Sequence, residues 1–134
     1  MSPVEQGAVV SSIGTSLRYI GEHFFAYSGP VAVADSEITL IEGTSGSGYV
    51  VGVWSTFYGD TSTTDDYRFI LYFNNQVVAV IQWDQSEHPQ GRNLNVSDIL
   101  IPPQTIVKLT AENVADNTSN DVMASLVGRV YGAE

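Results

Sequence analysis

From Glu22 onward the chain reads as short apolar runs divided by turn residues, a rhythm that predicts an all-β domain. His23–Tyr27 comes first and stops at Ser28-Gly29-Pro30. Val31–Ala34 follows, then Glu37–Glu42, where Ile38 and Leu40 share a face because side chains alternate along a strand. Tyr49–Tyr58 is longer, and Gly52 within it marks a bulge or a close backbone approach. Tyr67–Phe73 and Val77–Trp83 flank Asn74 and Asn75, with Gln76 starting the return. Asparagine tolerates the left-handed backbone of a tight turn, so this pair predicts a hairpin. Asp98–Ile101, Thr105–Glu112 and Val122–Tyr131 close the series. The connecting stretches are Gly43–Gly48 (GTSGSG), expected to be flexible and exposed, the acidic Gly59–Asp66, and the polar excursion Asp84–Ser97.

About eight short antiparallel strands imply a two-sheet β-sandwich. An eight-stranded jelly roll is the first expectation and an immunoglobulin-like sandwich the second, because strand number alone does not set the connections. Residues 1–21 read differently. Val9, Val10, Ile13, Leu17 and Ile20 are spaced almost as on a helix, but Gly7, Gly14 and Gly21 weaken one. An N-terminal arm or short helix over 1–21, joined without a linker to a sandwich over 22–134, is the expected organisation.

Several runs are apolar on both faces, where a strand with one wet face should alternate. Tyr49–Trp54, Phe69–Phe73 and Val77–Trp83 are of this kind. In the last run Val122, Leu126 and Val130 take one face, and Met123, Val127 and Tyr131 the other. Apolar patches of this extent mark contacts. Homo-oligomerisation as a homotrimer or homodimer is therefore expected, with Met123, Val127, Tyr131, Ile70 and Tyr72 as interface residues.

Composition narrows the partners. Only 15% of residues are charged, and polarity is carried by Ser, Thr, Asn, Gln and Gly, which suits sheet surfaces and loops. Five basic residues (Arg18, Arg68, Arg92, Lys108 and Arg129) are scattered against fifteen acidic ones, for a net charge of −10. Nucleic acid and anionic membrane surfaces both need clustered cations, so neither is an expected partner. There is no cysteine, no apolar run near the ~20 residues of a membrane helix, and no basic, apolar start in MSPVEQGAVVSS. Folding in a cytoplasm is the expectation.

No constellation of residues carries chemistry. His23 and His88 are far apart, each beside a glutamate, with no partner at metal-ligand spacing. Asp60, Asp65 and Asp66 share an oxygen-rich loop that could bind calcium. Its spacing does not match a calcium loop, and a solvated acidic loop is the simpler reading. Glu37 and Glu42, five apart on one strand, should point to opposite faces and form no catalytic pair. Trp54, Trp83, Tyr49, Tyr58, Tyr67 and Tyr72 could stack on sugars, although their place within strands favours packing. A non-enzymatic protein with no cofactor and no metal is expected.

The last third adds a likeness. Ile99-Leu100-Ile101-Pro102-Pro103-Gln104-Thr105, then Val107-Lys108-Leu109, and the close Leu126-Val127-Gly128-Arg129-Val130-Tyr131-Gly132 resemble small β-sandwich structural proteins of tailed-phage virions, among them capsid decoration (cement) proteins and head-fibre domains. The resemblance implies a virion protein, made in the host cytoplasm, that binds the major capsid protein on the outside of the head and stabilises it. A carbohydrate- or receptor-binding jelly roll is the alternative.

Overall fold

The computed structural model describes residues 17–58, 66–83, 92–115 and 119–131. The strands are β1 (Arg18–Ile20), β2 (His23–Tyr27), β3 (Val31–Val33), β4 (Ile38–Thr44), β5 (Tyr49–Tyr58), β6 (Tyr67–Phe73), β7 (Gln76–Trp83), β8 (Arg92–Ile101), β9 (Ile106–Asn113) and β10 (Asn120–Tyr131). No helix occurs among the described residues. One sheet has six strands in the order β1-β2-β10-β5-β8, with β3 also on β10; the other has four, β4-β9-β6-β7. Every pairing is antiparallel.

This is the expected jelly roll. β2 pairs with Ser125–Arg129 and β3 with Asn120–Val122, so the two act as one strand interrupted at Ser28-Gly29-Pro30. Counted that way, eight strands form two layers of four, and β1 is an addition at one edge. The immunoglobulin-like order is not the one found. β1 also shifts the expected boundary. Arg18–Ile20 pair with His23–Phe25 around a turn at Gly21, whose φ is +59°, so the sandwich begins before residue 22. The rest of the expected arm or helix, 1–16, lies outside the described residues.

The core is the meeting of the two inner faces. Phe24, Ala26, Val50, Trp54, Ile101, Val122, Leu126 and Val130 face Leu40, Ile41, Tyr67, Phe69, Leu71, Val107, Leu109 and Ala111, all of them buried. The Tyr67 hydroxyl donates to the Val33 carbonyl at 2.8 Å and accepts from the Asn120 side-chain amide at 3.1 Å, which ties the layers together with a satisfied polar group.

Two turns hold the ends. Asn74 and Asn75 have φ of 52° and 66°, the conformation expected of them in the β6–β7 hairpin. The Asn74 N–H donates to the Ile106 carbonyl at 2.8 Å, and the Ile106 N–H donates to Asn74 Oδ1 at 2.9 Å, which pins the hairpin to β9. Pro102 and Pro103 belong to the crossing from β8 to β9, with Gln104 at φ 52°. The neighbouring loop departs from expectation: Gly43, Ser45, Gly46 and Gly48 are buried. Ser45 accounts for it. Its hydroxyl donates to the Pro102 carbonyl at 2.7 Å and accepts from the Thr105 N–H at 2.9 Å, and its own N–H donates to the Thr105 carbonyl at 2.8 Å. The Gly46 N–H in turn donates to the Tyr19 hydroxyl at 2.8 Å. Small residues sit here because the two loops close on each other.

β8 is longer than expected and begins at Arg92, inside the polar excursion. Opposite β5 it contains a bulge between the Gly52↔Ile99 and Trp54↔Val96 pairs, with Asp98 at φ 59°. Gly52 fulfils the second of its two expectations, a close backbone approach, since the extra residue of the bulge lies in β8. It lies opposite Gly128, and a Cβ at Gly52 would collide with the Val127 carbonyl oxygen and stand 2.9 Å from the Gly128 Cα.

Candidate functional site

The outer face of the six-stranded sheet gathers most of the exposed large hydrophobic side chains among the described residues. Strand alternation turns the odd-numbered residues of β10 outward, and the registers align apolar groups on its neighbours with them. Phe25, Val127 and Val53 form one row across β2, β10 and β5. Val51 and Leu100 extend the next row, and Tyr131 stands opposite Tyr49. Val127 is 56% exposed, Leu100 52%, Tyr131 51% and Tyr49 46%. Ile20 and Tyr27 continue the surface on β1 and β2, with the Tyr27 hydroxyl donating to Met123 Sδ at 3.1 Å. One charged group is set into it: Arg129, on β10 between Val127 and Tyr131 and opposite Val51, pairs with Glu22 at 3.1 Å, but both are more than half exposed, so the pair adds little stability. Exposed aliphatic and aromatic side chains gathered on one sheet face, with an arginine among them, are the composition of a protein contact surface. Beneath it, Phe24, Val50, Gly52, Ile99 and Leu126 line a narrow recess with no room for a water-sized molecule.

No family model matches the sequence, and no curated protein matches it. Among solved structures, a family 35 carbohydrate binding module from an environmental isolate is similar over 98% of this chain and 93% of that chain, with 18% identity and a TM-score of 0.37. So loose a likeness carries no argument about function.

The expected interface residues divide between two surfaces. Met123, Val127 and Tyr131 lie on the outside of the six-stranded sheet, whereas Ile70 and Tyr72 lie on β6 in the four-stranded one. Ile70 is only 8% exposed, since Thr110 and Val80 flank it in register. Leu100, Tyr49, Tyr27, Phe25 and Ile20 belong to the first surface and are additions to the expected set. The alternation in His23–Tyr27, with Phe24 and Ala26 inward and Phe25 and Tyr27 outward, is the signal that points to two of them.

The outer face of the four-stranded sheet is polar on one side. The Tyr72 hydroxyl donates to Glu37 Oε2 at 2.6 Å, and the Thr110 hydroxyl donates to the same oxygen at 2.5 Å. These two bonds, Thr110 first, hold the Glu37 carboxyl below its usual range, with smaller pulls from Lys108 and Arg68. The bond to Glu37 raises the Tyr72 hydroxyl in turn. Lys108 Nζ lies 4.8 Å from the centre of the Tyr72 ring, a cation–π contact. Glu42, opposite Lys108 in register, is on this face too. That corrects the expectation of opposite faces: a bulge between Thr39 and Ile41 buries both Leu40 and Ile41 and inverts the alternation after it.

The remaining candidates separate. Trp54 and Tyr67 are wholly buried, which removes them as sugar platforms. The side chains of Trp83 and Tyr58, and all of His88, Asp60 and Asp65, lie outside the described residues. His23 is exposed on β2, and among the described residues no three His, Asp or Glu side chains converge on a metal position.

Proposed function

We propose that this chain is a non-enzymatic structural protein that works by contact, and that its setting is the outside of a tailed-phage head, where it binds the major capsid protein as a decoration protein. The observation that carries the contact reading is the outer face of the six-stranded sheet, where Val127, Leu100, Tyr131 and Tyr49 stand about half exposed on the same side. Burying such groups is favourable at about 25 cal/mol per Å² of apolar area, so the face gains by being covered. The capsid setting draws on the likeness of the last third to virion β-sandwiches. Co-sedimentation with undecorated capsids tests it. The wild-type chain should pellet with shells and stabilise them against heat, and Val127→Asp or Leu100→Asp should weaken binding by at least about tenfold. Failure of the wild-type chain to bind any shell across a range of salt overturns the setting.

Carbohydrate binding is the second reading, favoured by one observation. Tyr49 and Tyr131 are exposed and face each other across β5 and β10, where flat rings could meet a sugar. A glycan array with Tyr131→Ala as control separates the two: specific binding lost in the variant supports this reading.

A further inference from the structure

A sandwich must manage its sheet edges, because an uncovered edge offers a row of unpaired backbone N–H and C=O groups to any passing strand. Most edges here carry a protective device. β1 and β3 are three residues long, and β1 includes Arg18. β8 is bulged at Asp98 and is followed directly by Pro102. β4 is bulged between Thr39 and Ile41 and carries Glu42. β7 is different. It is eight residues long, Gln76-Val-Val-Ala-Val-Ile-Gln-Trp83, with no charge and no proline. Among the described residues it pairs with β6 alone. Its one irregularity falls at its start, where Leu71 pairs with Ala79 and Tyr72 with Val77, and from Ala79 to Trp83 the strand is regular. Val77, Val78 and Val80 are 56%, 49% and 51% exposed.

We infer that β7 is a strand-addition edge whose occupant is β7 of a second copy of this chain, paired antiparallel across a two-fold axis near Val80, so that two four-stranded sheets become one continuous sheet. Charge selects this occupant. Two copies of a chain with net charge −10 repel each other, and a stable contact between them must lie where carboxylates are absent. The β6–β7 hairpin, residues 67–83, contains no Asp or Glu and one cation, Arg68. A basic partner would gain more at the acidic surfaces elsewhere. Antiparallel pairing of a strand with itself also satisfies a closed two-fold, in which the same residues meet from both sides. Main-chain hydrogen bonds would supply affinity, and the valines, packed against their symmetry mates, would set register.

This contact is separate from the outer face of the six-stranded sheet and does not depend on what that face binds. Sedimentation equilibrium of the full chain should show a dimer. Val80→Lys, at an exposed position, should keep the wild-type circular dichroism and raise the dimer dissociation constant at least about tenfold, whereas Thr39→Lys on the opposite edge and Val127→Asp should leave it unchanged. The chain has no cysteine of its own, so single cysteines placed at Val78, Val80 and Gln82 report proximity cleanly. Oxidation should cross-link copies most at Val80. A monomeric wild type, a dimer indifferent to Val80→Lys, or the absence of cross-linking at all three sites overturns the inference. Shell binding by the Val80→Lys monomer reads the proposed function separately.

Discussion

Single residues in this fold are set by whether their polar atoms find partners. Trp54 Nε1 and Thr56 Oγ1 are buried on the inner side of β5 without a hydrogen bond. An unmet buried hydroxyl costs about 1–3 kcal/mol, so Thr56→Val, which keeps the shape and removes the oxygen, should stabilise the protein by about 1 kcal/mol in urea unfolding. Glu37 is the opposite case, an exposed carboxylate with two donors on one oxygen. Its carboxyl titrates lower in the folded chain than in the unfolded one. The unfolded state then binds more protons between the two values, and the stability this contributes is present above the ordinary carboxylate range and lost as pH falls through the depressed value. Glu37→Gln should therefore be less stable than wild type at pH 7, with the gap closing as the acid limb is descended. Parallel denaturant titrations from pH 7 to pH 2 would show it, and a gap that widens with acid would contradict the assignment.

At the scale of elements, the β5–β10 pair is held at close backbone approach. Gly52 and Gly128 face each other so closely that a Cβ on Gly128 would lie 2.5 Å from the Val51 carbonyl oxygen and 2.8 Å from the Gly52 Cα. The obstruction is backbone on both sides, so Gly128→Ala must push the strands apart and should cost about 3 kcal/mol, read as a lowered urea midpoint. Gly52 is legible in the sequence because a lone glycine within an apolar run marks a point where a side chain will not fit. The Asn74-Asn75 hairpin is legible for the same kind of reason, a residue type matched to a rare backbone conformation. Bulges are not legible. In β8 the inward positions pass from Val96 to Ile99 across Ser97 and Asp98, and in β4 both Leu40 and Ile41 turn inward. Each extra residue reverses the period-two pattern, so simple alternation predicts too short a β8 and the wrong face for Glu42. The buried Ser45 loop is hidden differently. Its Gly and Ser composition is that of a flexible linker, and only the distant Pro102–Thr105 turn reveals that it is packed.

For the whole molecule, charge and apolar surface pull in opposite directions. A net charge of −10 on a chain of 134 residues keeps copies apart and strains the compact state. Raising ionic strength from about 0.01 to about 0.15 M shortens the screening length from ~30 to ~8 Å, so the thermal midpoint should rise with sodium chloride by a few degrees. A midpoint indifferent to salt would mean that the carboxylates are already spread far enough not to repel. The same global view shows why the candidate surface is only partly visible in the chain order. Its members come from β1, β2, β5, β8 and β10, and no local stretch contains more than a few of them. One further consequence lies in where β10 sits. It is the most C-terminal strand described, yet it occupies the middle of its sheet, with β2 and β3 on one side and β5 on the other. During synthesis every other described strand leaves the ribosome before the one that joins them. The four-stranded sheet can form without it, but the six-stranded sheet stays in separate pieces, β1–β2 and β3 apart from β5–β8, until Asn120–Tyr131 emerges, so closure of that sheet is a late step of folding.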